Sequence, residues 1–169
     1  MADVHVIDTS SLIQFLDDLS PAPLWRVLVA CEQWVVNGRL VFPTQVEREL
    51  RSYGVPDSIT AWCAGVKDRR RFDDPDYKTV RQIMSNSVLQ RVVDWGKSTK
   101  ADPADPYVLA QAVEIQAAGH EVCIVNEDRR DKNDGYGKLK KSSIHTCCAQ
   151  LNITSMVTSQ FLPLLGVKL

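Results

Sequence analysis

Apolar and polar positions along this chain follow two rhythms, one of period two and one near three and a half. Val4, Val6 and Ile7 form a short β-branched run that stops at Asp8, and SSLIQFLDDL then takes helical spacing, with Leu12, Phe15, Leu16 and Leu19 on one face. The pattern predicts a strand feeding a helix. Pro21 and Pro23 mark a break, after which LWRVLVACEQWVVNGR brings Leu24, Leu28, Cys31 and Val35 round at helical intervals, with Gly38 placed as the stop. LVFP reads as the next strand. Thr44 is then expected to cap a helix QVERELRSY, whose Val46 and Leu50 fall four apart on the buried face, and Gly54 and Pro56 end it.

The middle of the chain, about 56–100, carries two more helical patterns joined by the charged connector KDRRRFDDPD, an insert with the character of a lid or an arm. DPYVLAQAVEIQAAG begins a helix with Pro106 at its first position and Asp105 as its N-cap, ends at Gly119, and leads into the apolar strand EVCIV. From Glu127 to Ser143 the chain is polar and is expected to be a mobile loop. The tail supplies a helix around HTCCAQL, a strand around NITSMV and a Thr158-capped helix SQFLPLLG. Strands alternating with helices on short links predict an α/β fold, a three-layer α/β/α sandwich around a parallel sheet of about four to five strands.

Length adds that residues 1–169 are expected to form one domain with a sufficient core of its own. With 44% hydrophobic and 24% charged residues the composition is that of a globular protein and excludes disorder as the main state. Cys31, Cys63, Cys123, Cys147 and Cys148 are odd in number, form no C-x-x-C pair and lie mostly in apolar segments, so they read as reduced core residues, and structural zinc is set aside. No membrane span or signal peptide is apparent, which leads to the expectation of a soluble, cytoplasmic protein. The net charge of −1 lacks the basic field of a protein that grips nucleic acid by backbone attraction alone, so any such contact is expected to be local or bridged by metal. Trp25, Trp34, Trp62 and Trp95 are expected to pack in the core or at an interface.

In parallel α/β sheets, ligands gather beyond the carboxyl ends of the strands, where the strand order reverses. Asp8 and Asp128 lie at two such ends, while Glu49 and Asp105 sit early enough on their helices to reach the same crevice. Carboxylates drawn together raise one another's proton affinity unless a cation neutralises them. Oxygen ligands suit Mg2+ or Mn2+, which beside a phosphodiester can activate water and stabilise the leaving oxygen.

DTSSLI around Asp8, VERELR around Glu49, ADPYVLAQA around Asp105 and IVNED around Asp128 resemble, in this order, the four acidic motifs of the PIN-domain family, over residues 4 to about 165. The tail TCCAQLNI...FLPLLG is similar to a bacterial subfamily often encoded beside a small DNA-binding or metallopeptidase-like partner. The resemblance implies a magnesium- or manganese-dependent endoribonuclease acting on RNA, the toxin half of a type II toxin–antitoxin pair, with a nearby-encoded antitoxin as partner and a homodimer left open. It implies Asp8, Glu49, Asp105 and Asp128 as catalytic and metal-binding residues, with Ser10 organising the site beside Asp8. Two positions depart from the pattern. Asn126 stands where the family more often has Thr or Ser, and Glu127 and Asp128 both offer the fourth carboxylate, with spacing favouring Asp128.

Each acid also has an ordinary structural reading. Asp8 and Asp105 could serve as helix caps, and Glu49 could be a solvated helix residue with Glu47 as its competitor on another face. The basic clusters Lys67 to Arg71, Arg129 to Lys132 and Lys138 to Lys141 are more often solvated surface than phosphate contacts, with Arg129, Arg130 and Lys132 the RNA-contact candidates. Competing functions are a catalytically silent binding module of the same fold, a DNA-directed nuclease, and an aspartate phosphotransferase with Asp8 as nucleophile. Phosphotransferases of that kind usually carry a second Asp two residues on, where this chain has Ser10.

Overall fold

A computed structural model describes residues 2–55, 57–93, 103–128, 132–133 and 140–168. Strand β1 (Val4–Ile7) is buried along its whole length and leads through helices α1 (Thr9–Asp18) and α2 (Pro21–Val36) to β2 (Leu40–Val41). Pro21 and Pro23 do not precede α2, as their role as a break suggested. They lie in its first turn, where a missing N–H costs no helical bond. Gly38 ends the helix region at φ +74°, as its position suggested.

Helix α3 (Thr44–Ser52) follows, then α4 (Asp57–Val66), a 3-10 turn at Lys67–Arg69, α5 (Tyr77–Ser85) and a second 3-10 turn at Leu89–Val92. Helix α6 (Asp105–Ala117) feeds β3 (Val122–Val125), and after β4 (Lys132–Asn133) and β5 (Lys140–Lys141) the chain closes with α7 (Ile144–Leu151), β6 (Thr154–Met156), α8 (Thr158–Phe161) and a 3-10 turn at Leu162–Leu165. The long sheet is all parallel, in the order β2-β1-β3-β6. Helix α6 packs on β1 and β3 between α5 and α7, while α2 packs by β2 with α4 and the last turn against it. The result is the expected α/β/α sandwich.

Two expectations change here. The polar stretch 127–143 was expected to be a loop, yet β4 and β5 pair there in a short antiparallel ladder. The described part of the helical insert is no projecting arm, because Ile59, Trp62 and Cys63 of α4 and Val80 and Ile83 of α5 are core residues. Of the tryptophans expected in the core or at an interface, Trp34 and Trp62 are buried, while Trp25 is 67% exposed beside a hollow lined by Leu16, Leu19 and Leu24. Trp95 lies outside the described residues. All five cysteines are buried and unbridged. Among the described residues no helix is long and apolar enough to cross a membrane.

Thr44 is the first residue of α3 and not its cap. Its N–H and hydroxyl both donate to Asp74, at 2.7 and 2.6 Å, so the carboxylate of a distant connector caps this helix in its place. Arg70 completes the clamp by donating to Asp74 at 3.0 Å, to Thr44 Oγ1 at 3.2 Å and to the Phe42 carbonyl just past β2. The helix that carries Glu49 is thereby fixed at its start to the end of β2.

His5 is buried in β1 between the rings of Trp34 (5.4 Å) and Phe161 (5.6 Å). Burial is the main cause that pushes its pKa below the ordinary value; the Arg39 backbone opposes this in part, and the Arg39 charge adds to it. The folded form therefore binds a proton less readily than the unfolded chain. Stability conferred by the neutral ring is present above the ordinary histidine range and is lost as pH falls below about 6.5. His5→Phe is expected to lose less stability than the wild type between pH 7.5 and pH 5, as read from urea midpoints; equal losses would assign the acid sensitivity elsewhere.

Candidate active site

The order β2-β1-β3-β6 reverses direction between β1 and β3, since the chain leaves β1 toward β2 and returns to the other side of β1 for β3. Asp8 is the first residue past β1, and its N–H bonds to the carbonyl of Val125, the last residue of β3, at 3.0 Å. Asn126, Glu127 and Asp128 follow that same end of β3. The acids at 8 and 128 thus flank the switch point, as their places in the sequence suggested.

Asp8 also caps α1, its Oδ2 accepting from the Ser10 N–H at 3.2 Å and the Ser10 hydroxyl at 2.7 Å. The Ser10 hydroxyl in turn accepts from the Glu127 N–H at 3.1 Å. One small side chain therefore ties Asp8 to the segment after β3. Asn126 is buried, and its Oδ1 has no hydrogen-bond partner among the described residues.

Glu49 projects from α3 toward this crevice and is 7% exposed. Its Oε1 receives the Tyr53 hydroxyl and the Ala104 N–H, both at 3.4 Å, which brings the start of α6 against it. Burial and the charge of Asp8 push its carboxyl above the usual range, against a counter-effect from the nearby Thr9 side chain, the Ala104 N–H and the Tyr53 hydroxyl. Tyr53 is itself pushed up, by burial first and then by the charges of Glu49, Asp105 and Asp8. Three of the four acids thus act on one phenol. Glu47, the competitor, faces elsewhere and is held by Arg51 at 2.7 Å and Lys67 at 3.3 Å, whereas Glu49 has no ion-pair partner among the described residues.

Asp105 was expected to be the N-cap of α6, but it is the first helical residue, with Ala104 in the cap position and Pro106 second. It sits in the positive field of the helix start. Asp128 is half-buried, three residues past the end of β3. Glu127 has another task. Its Oε1 accepts from the Thr158 N–H at 2.6 Å, so Glu127 caps α8, and Thr158 is the first residue of that helix instead of its cap. Arg129 and Arg130 lie outside the described residues, and of Lys132 only the backbone is described, in β4.

The donor set is made of hard oxygens, with an orphaned amide oxygen at Asn126 beside it. Among the described residues, no three His, Cys, Asp or Glu side chains are grouped so as to hold one metal ion as they stand. The set nevertheless fits magnesium or manganese, which take one or two carboxylates and keep several waters. Asp8 and Glu49 would hold such an ion, with Asp105 close by. Sequence reasoning missed Tyr53, although its place four residues after Glu49 on one helix put both on one face.

The roles of the ED pair can be separated. Glu127→Ala is expected to destabilise the metal-free protein by about 1 kcal/mol through loss of a half-buried cap, while its stabilisation by manganese persists. Asp128→Asn is expected to do the reverse, and melting curves of both variants with and without manganese would show an exchange of these outcomes if the fourth acid were Glu127.

Neither a curated protein nor a solved structure matches the chain. A family model described as "Domain of unknown function (DUF4411)" matches residues 5–169, nearly the entire length, and the chain therefore belongs to this family.

Proposed function

We propose that this chain is a divalent-metal-dependent endoribonuclease of the PIN type. The observation that carries the reading is the convergence of Asp8, Glu49 and Asp105 on Tyr53 at the reversal of strand order, with Glu49 buried beside another carboxylate and no cation to neutralise it among the described residues. Charges of one sign are gathered in this way where a cation is to be bound, because otherwise burial and repulsion both oppose folding. The four ordered acidic motifs support the same conclusion.

When bound, magnesium or manganese supplies Lewis acidity toward a phosphodiester and lowers the pKa of water. The chain's own part is to hold the carboxylates in place. Ser10 fixes the Asp8 carboxylate, the Arg70–Asp74 clamp fixes the start of α3, and the Ala104 N–H fixes Glu49 against the start of α6. Asp128 is the fourth metal-binding acid of the proposal, and the basic residues Arg129, Arg130 and Lys132 are its RNA contacts. A nearby-encoded antitoxin that covers the acidic pocket is part of the same proposal, and rests on the family resemblance.

A silent binding module of the same fold is the second reading, favoured by the lack of a ready three-acid metal group among the described residues. Labelled single-stranded RNA and DNA incubated with the protein, with and without manganese, separate the readings. Internal cuts in RNA that require manganese are expected. Retention of intact RNA in a protein complex would favour the module, and preferential cutting of DNA would assign the other substrate.

A further inference from the structure

Tyr53 ends α3 in a setting unlike that of the other residues around the acids. Its backbone is pinned, because its N–H bonds to the Glu49 carbonyl at 3.1 Å and Gly54 follows at φ +65°, a left-handed turn that suits glycine and directs the chain away. Its hydroxyl reaches Glu49 Oε1 at 3.4 Å, so one tip of the ring is anchored at the acids. The residue as a whole is nevertheless 53% exposed. An aromatic ring thus stands at the mouth of the acidic crevice with its polar end inward and much of its surface in water.

Large aromatic rings are costly to leave in water, and those held at the rim of a site commonly supply a contact face. The neighbours here decide which contact. Phosphates would be repelled by Asp8, Glu49 and Asp105 unless a cation intervened, whereas an uncharged nucleobase would not be, and every base offers a π-face. Bases within a duplex already spend both faces on their neighbours. An unpaired base can stack on a protein ring without that loss.

We propose that Tyr53 is a substrate-binding residue, the platform on which an unpaired RNA base stacks while the adjoining phosphodiester lies over Asp8, Glu49 and Asp105. The proposal rests on the ribonuclease reading and deepens it, since it makes single-stranded RNA the substrate class and assigns the choice to one side chain.

Steady-state cleavage in manganese tests it, with an unstructured oligoribonucleotide and the same strand annealed to its complement as substrates, for the wild type, Tyr53→Phe and Tyr53→Leu. Tyr53→Leu is expected to raise KM for the single strand about tenfold, within the range for one lost base–aromatic stack, and to lose most of the preference over duplex. Tyr53→Phe keeps the ring and is expected to stay within about twofold of the wild-type KM. An unchanged KM in Tyr53→Leu would overturn the platform role. Equal falls in kcat for both variants at unchanged KM would also overturn it and make Tyr53 a positioning residue for Glu49. A wild type that cuts neither substrate, while manganese still raises its melting temperature, would sink the ribonuclease reading and the platform with it.

Discussion

Asp8→Asn is expected to fold as the wild type does and to lose RNA cleavage by at least a hundredfold, which corresponds to about 2.7 kcal/mol in the barrier. The two halves of this result have separate causes. Asp8 caps α1 through an oxygen that accepts from the Ser10 N–H and hydroxyl, and asparagine presents an equivalent oxygen and caps about as well. The negative charge is what disappears, at the position nearest the reversal of strand order, where it acts on both Glu49 and Tyr53. Growth of bacteria expressing the chain alone should slow for the wild type and not for Asp8→Asn. Asp8→Ala is the less useful variant, since it removes the cap as well and costs about 1 kcal/mol of stability. Cleavage by Asp8→Asn at the wild-type rate would leave Asp8 as a cap and nothing more.

Glu49→Gln is expected to raise the melting temperature in metal-free buffer at neutral pH while lowering the gain produced by manganese. Burial and the Asp8 charge hold the folded pKa of Glu49 above its unfolded value, so its favourable contribution is present below the ordinary carboxylate range and is lost as pH rises through the folded pKa. Glutamine mimics the protonated acid and keeps that contribution at neutral pH. Each ~1 kcal/mol recovered should appear as about 2–4 °C for a chain of this size. The advantage should shrink as pH falls toward 4.5, where the wild-type carboxyl takes up the proton itself. Manganese at about a hundred times its Kd would stabilise the wild type by about 2.7 kcal/mol, or about 5–10 °C, and Glu49→Gln should gain less than half of that. A variant less stable than the wild type without metal would mean that the Tyr53 and Ala104 hydrogen bonds outweigh the repulsion.

The parts of the fold legible in the sequence were those with a repeating signal. β1 and β3 are β-branched apolar runs paired from Val4 with Val122 to Ile7 with Val125, and the helices between them bury the periodic residues Leu12, Phe15, Val46 and Leu50. Helix starts were less legible. Thr44 and Thr158 have the right chemistry for caps, but each is the first residue of its helix, and the caps come from Asp74, 30 residues away, and Glu127, 31 residues away. No local pattern encodes a cap supplied from another segment. The same holds for the ED pair, where only the approach of α8 separates the cap Glu127 from Asp128. The places of Asp8 and Asp105 were legible because each lies at an element boundary, and that of Glu49 because it falls three residues after Val46 on the buried side of α3. Tyr53 was not, because its role depends on which face of α3 meets β1 and α6.

Calorimetric titration of manganese into the metal-free protein at neutral pH, with Asp8→Asn titrated alongside, tests the account most directly. The wild type is expected to give a saturable heat of binding that is absent or strongly weakened in Asp8→Asn. Absence of binding in the wild type, or equal binding in both proteins, would contradict the assignment of the acidic crevice as a metal-dependent catalytic site.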